Sequence, residues 1–490
     1  MPTLKQTFAI SLLCLVALPS VVYAADPLSA KPNILFIYAD DLGYGELGCY
    51  GAKEVPTPNI DTIAANGIRF TSGYVSAPLC SPSRAGLMTG RYQQRFGHEN
   101  NTMTAEGGLP LAETTLAARL KTLGYATSIV GKWHLGHDAT HLPMARGFDE
   151  YFGVIGNPGS YFTPKGLIDS RVSATAYNAP ADFYTTDAFA ARAAGWIEQQ
   201  KDAPWFLYLP FNAVHAPHQA TEKYLQRFAH VPEKRRQFDA MLAAMDDAVG
   251  VVLGKLRELK LEERTLIFFV SDNGAPEGRD GNGVLRGGKY SCWEGGFRLP
   301  WMVQWKGHLP AGKVDDRPVT QLDVLPTCLA AAGTPADPAW HLDGVNLLPF
   351  LTGENPARPH ETLYWRIDGM WAIRQGDLKL VSAKPGRAPE LYDLATDLSE
   401  EHDLAAAQPA KATELKRLWD EWNTSLSASS VPAKDKPKKK KKNENATTPT
   451  PSPAGEPAPK TRKELRKERK KAAAASGMAK PTPKSPDAPK

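Results

Sequence analysis

The amino-acid sequence predicts an α/β fold whose central sheet is mostly parallel, followed by a smaller α+β subdomain. Short, continuously apolar segments alternate with helical segments from about residue 31 to residue 355. Such runs are typical of strands that are buried on both faces. Near residue 356 the pattern changes to shorter, closely spaced strand-like segments. A chain of 490 residues can hold one large domain and a smaller one.

The elements of the larger domain, residues 25–354, can be placed in order. A first helix begins at Thr57, the expected N-cap, with Pro58 in its first turn. Gly124 is expected to stop a second helix. The predicted helices include residues 114–123 and 236–259, and the predicted strands are residues 33–38, 126–130, 205–211, 266–270 and 299–305. In sheets of this kind, ligands bind beyond the carboxyl ends of the strands.

The smaller subdomain, residues 355–430, is predicted to be a meander that a helix closes. Its strand-like segments are residues 363–365, 370–374, 378–382 and 391–394, and residues 411–422 form the expected closing helix.

The first 24 residues have the pattern of a secretory signal peptide. Lys5 gives a positive start, residues 8–18 are apolar but too few to span a bilayer, and Ala24 ends a small-residue cleavage site. An uncleaved membrane anchor is the alternative. We therefore expect a secreted or periplasmic protein without stable membrane insertion.

Residues 431–490 form a basic, Lys- and Pro-rich tail. They contain 18 Lys and Arg against 6 Asp and Glu, a net charge of +12, which leaves −7 for the rest because the whole chain carries +5. This composition predicts disorder. The alternative is an electrostatic contact with an anionic surface or polymer. Nucleic acid is not an expected partner, since the sequence has no recognition motif for it.

Cysteine usage excludes a disulfide-built scaffold. Once Cys14 leaves with the signal peptide, Cys49, Cys80, Cys292 and Cys328 remain. Four cysteines are too few to stabilise a domain of this size by disulfide bonds, and their spacing does not suggest a zinc site.

Carboxylate and amide side chains follow two of the predicted strands. Asp40 and Asp41 come after the first strand, and Asp272 and Asn273 come after the strand at 266–270. Their oxygen atoms suit a hard cation such as calcium. Ordinary turn chemistry is the alternative, since Asp and Asn commonly end strands.

Cys80 lies in the segment 78–91, which reads PLCSPSRAGLMTGR. A free cysteine is usually a small buried hydrophobic residue. A reactive one needs solvent access and nearby cations, which Arg84 and Lys132 can supply. Gly86 and Gly90 are expected in a loop that enters a tightly packed helix.

Further basic residues lie in separate segments. Lys132 and His134 follow the strand at 126–130, His215 follows the strand at 205–211, and Lys289 lies in a glycine-rich stretch. His218 is expected to be structural or exposed. Positive groups that converge in this way suit a tetrahedral, oxygen-rich anion. The residues alone do not separate sulfate esters from phosphate esters.

Taken in order, these segments resemble the formylglycine-dependent (type I) sulfatases of the alkaline phosphatase-like superfamily. The resemblance implies an α/β/α sandwich in residues 25–354 and oxidation of Cys80 to formylglycine (3-oxoalanine). Asp40, Asp41, Asp272 and Asn273 would then ligate Ca²⁺ together with the modified Cys80.

The resemblance also assigns roles around the nucleophile. Arg84 and Lys132 would hold the formylglycine, and His134 would contact its hydrate and help to expel sulfate. His215 and Lys289 would contact the sulfate and the leaving-group oxygen. Ser160 is a further polar candidate near the site, and His98 and Asn100 are candidate substrate contacts.

The sequence thus predicts a sulfuric ester hydrolase of the arylsulfatase type. Its expected substrate is a sulfated carbohydrate or an aryl sulfate, and its expected partner is a formylglycine-generating or sulfatase-maturating enzyme. The alternatives are a phosphodiesterase or phosphonate monoester hydrolase of the same superfamily, and a non-catalytic binder of sulfated polymers.

Overall fold

A computed structural model describes residues 31–101, 104, 106–173 and 176–426. Its strands are β1 (Asn33–Ala39), β2 (Ile68–Phe70), β3 (Gly73–Tyr74), β4 (Ala126–Lys132), β5 (Glu150–Val154), β6 (Leu167–Asp169), β7 (Trp205–Pro210), β8 (Thr265–Ser271), β9 (Trp301–Gln304), β10 (Lys313–Asp315), β11 (Val319–Thr320), β12 (Thr362–Ile367), β13 (Met370–Gln375), β14 (Leu378–Ser382) and β15 (Glu390–Asp393). Its α-helices are α1 (Pro58–Ala65), α2 (Cys80–Thr89), α3 (Leu116–Thr122), α4 (Thr185–Gln199), α5 (Glu222–Leu225), α6 (Glu233–Glu258), α7 (Glu294–Phe297), α8 (Val324–Ala331), α9 (Leu348–Leu351) and α10 (Pro409–Thr424).

The large sheet has the strand order β10-β2-β9-β8-β1-β7-β4-β5-β6. Its five central strands, β8 to β5 in that order, are parallel, whereas β9 and β6 run antiparallel to their inner neighbours. The predicted mostly parallel sheet is therefore confirmed. Because the central strands are parallel, their carboxyl ends share one edge of the sheet.

Both faces of the sheet are covered, as the apolar strand segments predicted. Along β1, Phe36 and Tyr38 pack on one face with residues of α2, α3 and α8. Leu35 and Ile37 pack on the other face with residues of α4 and α6. Alternate side chains of one strand thus enter two separate cores, which is the layering of an α/β/α sandwich.

The last four strands form the expected antiparallel meander, in the order β12-β13-β14-β15. Helix α10 closes it, with Trp419 stacked on Trp371 at 4.6 Å between ring centroids. On the other side, Trp365 stacks on Phe297 of α7 at 4.1 Å. This small sheet therefore packs directly against α7 of the larger domain. All the described residues belong to one compact unit. The boundary between residues 354 and 355 stays a prediction.

Some helix starts differ from the prediction for local reasons. Thr57 does not cap α1 with its side chain. Its hydroxyl accepts from Gly48 N at 2.9 Å and donates to Asp61 at 3.0 Å instead. Helix α3 begins later than predicted, because the side chain of Thr115 accepts from Ala118 N at 3.1 Å and caps it there. Helix α4 was missed by the sequence analysis.

Within the described residues, no helix is long and apolar enough to cross a membrane. The predicted signal peptide, residues 1–24, and the basic tail, residues 431–490, lie outside the described residues.

Candidate active site and metal centre

Two neighbouring parallel strands bring the predicted metal ligands together. Ala39 at the end of β1 pairs with Ser271 at the end of β8, so the residues that follow each strand meet. Asp41 N donates to Asp272 Oδ1 at 3.1 Å, and Asn273 Nδ2 donates to Asp41 Oδ1 at 2.7 Å. The predicted convergence of these strand ends is what the structure shows.

Cys80 is the first residue of α2 and points at the same place. Its Sγ lies 3.5 Å from Asp40 Oδ1 and 4.0 Å from Asp41 Oδ1. The side chain is fully buried, so the solvent access expected of a reactive cysteine is absent. The expected loop is also wrong, because the segment itself forms α2. Gly86 lies inside this helix, where a Cβ would come within 2.4 Å of Ser76 Oγ.

Arg84 lies one helical turn after Cys80 and turns back toward the same carboxylates. Its Nη2 and Nε contact Asp272 Oδ2 at 2.6 and 3.1 Å, and its Nη2 lies 3.3 Å from Asp40 Oδ2. Its Nη1 donates to the carbonyl oxygen of Lys132 at 3.0 Å. The guanidinium is fully buried, and these contacts hold the two strand ends together.

Lys132, the last residue of β4, donates its Nζ to Asp40 Oδ2 at 2.5 Å. Burial raises the pKa of Asp40, but Lys132, His215 and Arg84 outweigh it and hold that pKa well below its ordinary value. For Asp272 the balance is opposite, because burial and the charge of Asp40 raise its pKa in spite of Arg84.

Lys289 and His215 approach from the open side of the site. Lys289 Nζ lies 2.7 Å from Asp41 Oδ1 and 3.4 Å from Cys80 Sγ. His215 Nδ1 donates to Ala216 O at 2.5 Å, which leaves Nε2 facing Asp41 Oδ2 at 3.8 Å. The His215 side chain is part-exposed, so this pair lines the entrance.

His134 follows β4 at a sharp bend, where its φ is +60°. Burial, together with Lys132 and Arg84, lowers the pKa of its imidazole well below the ordinary value. Its Nδ1 is buried and has no hydrogen-bond partner among the described residues. Burial and the two nearby cations thus disfavour the protonated form of His134.

The donor set fits a hard divalent cation. Ligand atoms of Asp40, Asp41, Cys80 and His215 lie within 4.8 Å of one another. Asn273 Nδ2 is fixed by Asp41 and by Gly274 O at 3.0 Å, while Asn273 Oδ1 is buried with no donor in the described structure. A cation that takes this oxygen would satisfy it. Carboxylate and amide oxygens match the preference of Ca²⁺.

Comparison with known proteins identifies the family. The sulfatase family model matches residues 32–334. N-acetylgalactosamine-6-sulfatase of Sus scrofa is 37% identical over 385 residues, 71% of each chain. Arylsulfatase A of Homo sapiens is 34% identical over 456 residues, 80% of this chain and 87% of that protein. The chain belongs to the sulfatase family.

A solved structure agrees with this assignment. Ps i-CgsB in complex with k-i-k-neocarrahexaose has a TM-score of 0.75 and 34% identity, and the match covers 81% of this sulfatase and 94% of that chain. The predicted alkaline phosphatase-like α/β fold and the class of sulfuric ester hydrolase are thus confirmed.

Sequence reasoning missed several polar residues that border the site of this sulfatase. Asn157 Oδ1 accepts from Lys132 Nζ at 2.8 Å. Arg279 donates to the carbonyl oxygen of Asp41 and to Glu46 Oε2, the latter at 3.1 Å. Asn157 follows β5 by three residues, so the strand-end rule that found Asp40 could have found it. The sequence around Glu46 and Arg279 contains no motif that would mark them as site residues.

Other candidates from the sequence make local contacts or are buried, and their roles at the site stay predictions. Ser160 Oγ accepts from Phe162 N and Thr163 N and forms a local turn. His98 is fully buried and contacts Ser81 Oγ at 2.7 Å, so it supports the first turn of α2. His218 packs edge-on against a phenylalanine at 5.6 Å, as a structural residue would. Asn100 is buried.

Proposed function

We propose that this sulfatase hydrolyses sulfate esters of a sulfated carbohydrate with a formylglycine formed from Cys80 and a calcium ion. The observation that carries the proposal is the position of Cys80. Its Sγ lies 3.4 Å from Lys289 Nζ and 3.5 Å from Asp40 Oδ1, at the start of helix α2. Asp40, Asp41, Asp272 and Asn273 would hold the ion beside residue 80.

The encoded thiol is a poor nucleophile in this place. Burial, followed by the charges of Asp272 and Asp40, raises the pKa of Cys80 well above its ordinary value. A neutral thiol attacks slowly, because the thiolate is the reactive form. When present, formylglycine supplies a hydrated aldehyde whose oxygen attacks sulfur, and calcium supplies the charge that stabilises this oxygen.

The charges of the buried site favour an anionic substrate once a cation is bound. Asp40, Asp41 and Asp272 face Arg84, Lys132 and Lys289, which makes three carboxylates and three cationic side chains. A divalent ion would leave a net positive site, and the N-terminus of α2 adds to it. A sulfate ester suits such a site.

Three basic side chains can each carry out one proton transfer of the reaction: Lys289, His215 and His134. Burial lowers the pKa of Lys289, but the negative charge around it, including that of Asp41, outweighs burial and raises the pKa, so Lys289 can donate to the sulfate or the leaving-group oxygen. His215 Nδ1 already donates to Ala216 O, so Nε2 can give a proton to the leaving alcohol when the imidazole is doubly protonated. His134 Nδ1 has no partner among the described residues, so it can accept a proton as sulfate is expelled.

The relatives support a carbohydrate substrate. One is named for N-acetylgalactosamine 6-sulfate, and Ps i-CgsB was solved with a neocarrahexaose. The oxidation of Cys80 needs a maturation enzyme as a partner. Residues 1–24 have the composition of a signal peptide, which supports a secreted or periplasmic location, and the tail at 431–490 supports contact with an anionic surface.

Mass spectrometry of the tryptic peptide 70–84 tests the proposal. In protein from a host with the maturation enzyme, Cys80 is expected to carry an aldehyde in place of the thiol, and the protein is expected to cleave aryl sulfates and members of a panel of sulfated oligosaccharides. The Cys80→Ala variant should fold but lose turnover. An unmodified cysteine in fully active enzyme would refute the formylglycine. Faster cleavage of aryl phosphate diesters than of aryl sulfates would contradict the substrate class.

A further inference from the structure

Lys289 lies on the segment 285–293, which contains neither a strand nor an α-helix and leads into α7. Its ammonium group must stay beside Asp41 and Cys80 for the role proposed above. The lysine side chain is long and flexible, so the backbone that carries it must be held in place. Lys289 N donates to Ala275 O at 3.0 Å, and Gly295 N donates to Arg286 O at 2.8 Å, which closes the segment on itself.

One distant residue, Glu400, holds both ends of this segment. Arg286 Nη1 donates to the backbone oxygen of Glu400 at 2.6 Å. Glu294 N donates to the side-chain Oε2 of Glu400 at 2.7 Å. Both ends of the segment thus contact the same residue. Lys289 lies between these two anchor points.

Glu400 is itself fixed by a buried ion triad. Its Oε1 lies 2.7 Å from Lys379 Nζ, and the same Nζ lies 2.9 Å from Glu294 Oε1. All three side chains are fully buried. Glu294 Oε2 also accepts from Tyr74 OH at 2.6 Å. The backbone of Glu400 has a φ of +56°, a strained value that persists only when the surroundings impose it.

The triad determines geometry more than it adds stability. A buried ion group contributes little net stability, because the cost of desolvation offsets the attraction between the charges. Its directional contacts do fix where α7 begins, and so where the Lys289 segment ends. We infer that Glu400, supported by Lys379, is a positioning residue that holds Lys289 against the sulfate ester. This inference rests on the proposed role of Lys289.

Two substitutions each remove a contact that holds the segment 285–293, one at each end. Glu400→Gln keeps the side-chain shape but removes the charge that binds Lys379. Arg286→Met removes the contact at the other end, and because its side chain is 42% exposed this variant is expected to fold. Each should lower kcat for an aryl sulfate by about 10- to 100-fold, since small displacements of a catalytic group have effects of that size. KM should change less, and Glu400→Ala should lose more activity than Glu400→Gln.

The decisive measurement repeats both variants in a Lys289→Ala background. If Glu400 acts through Lys289, its variants should change kcat by less than about twofold there, because the two effects share one cause. Arg317→Met is the matched control: it breaks the Arg317–Asp315 pair at 2.5 Å and should lower Tm without lowering kcat.

Equal losses of kcat in both backgrounds would overturn the positioning role while leaving the proposed function intact. A Lys289→Ala enzyme with full turnover would overturn the role of Lys289 and the positioning role with it. A loss of kcat in Arg317→Met as large as that in Glu400→Gln would show that lower stability alone explains the effect.

Discussion

Asn273 offers the sharpest test of the calcium site. Its Oδ1 is buried without a donor in the described structure, so Asn273→Ala should weaken calcium binding. Loss of even an outer-shell partner of a metal ligand typically weakens binding by about 10- to 100-fold, and we take this range for the loss of one proposed ligand. At a calcium concentration about 100 times the wild-type Kd, the ion should stabilise the wild type by about 2.7 kcal/mol, and the variant by only about 0.4 to 1.4 kcal/mol.

The assay is thermal unfolding of chelator-treated protein over a calcium titration, with magnesium as the comparison ion and calorimetry for Kd. Asn33→Ala is the matched control. Asn33 is also a buried asparagine whose side-chain atoms have no partner in the described structure, and it lies at the opposite end of β1. Its calcium response should equal that of the wild type. An unchanged Kd in Asn273→Ala, or an equal loss in Asn33→Ala, would refute the assigned site.

Three more predictions follow from buried groups. Lys132→Met should lower kcat by about 100-fold or more, since it removes the cation 2.5 Å from Asp40; wild-type kinetics would contradict its place in the site. Trp365→Ala should destabilise the protein by about 3 to 5 kcal/mol in urea unfolding, because it removes the ring stacked on Phe297; a loss below about 1 kcal/mol would disprove that packing. Burial raises the pKa of Glu400 from 4.5 to about 7, so the folded state binds more protons in that interval and stability should fall as pH rises through it. Glu400→Gln should flatten this decline in urea midpoints, and an unchanged slope would contradict the assignment.

The ligand set of the proposed metal centre could be predicted from the sequence for a topological reason. Asp40 and Asp272 each follow an apolar run, and parallel strands place such positions at one edge of a sheet. The prediction needed no knowledge of strand order, since any two central parallel strands end at that edge. Because β1 and β8 are direct neighbours, with Ala39 paired to Ser271, the residues after these two strands lie closer together than a shared edge alone would require.

The supporting residues could not be predicted, because their signals are not local. Glu400 lies in a turn after β15, and Glu46 lies shortly after β1. Each acquires its role only in the folded protein, where it pairs with a residue that is distant in sequence. Glu400 pairs with Lys379, and Glu46 pairs with Arg279. The burial of Cys80 was missed for a related reason: the rule that reactive cysteines are exposed does not hold for a residue packed at the start of a buried helix.

Arg84 shows how this site can fold before any cation arrives. Two carboxylates from separate strand ends would repel each other in a buried place, and the guanidinium of Arg84 contacts both Asp40 and Asp272. Lys132 and Lys289 balance the remaining charge. A bound divalent cation would therefore change the net charge of an already compensated site, so its larger effect should be on anion binding and turnover. Chelation should then abolish activity while the protein stays folded.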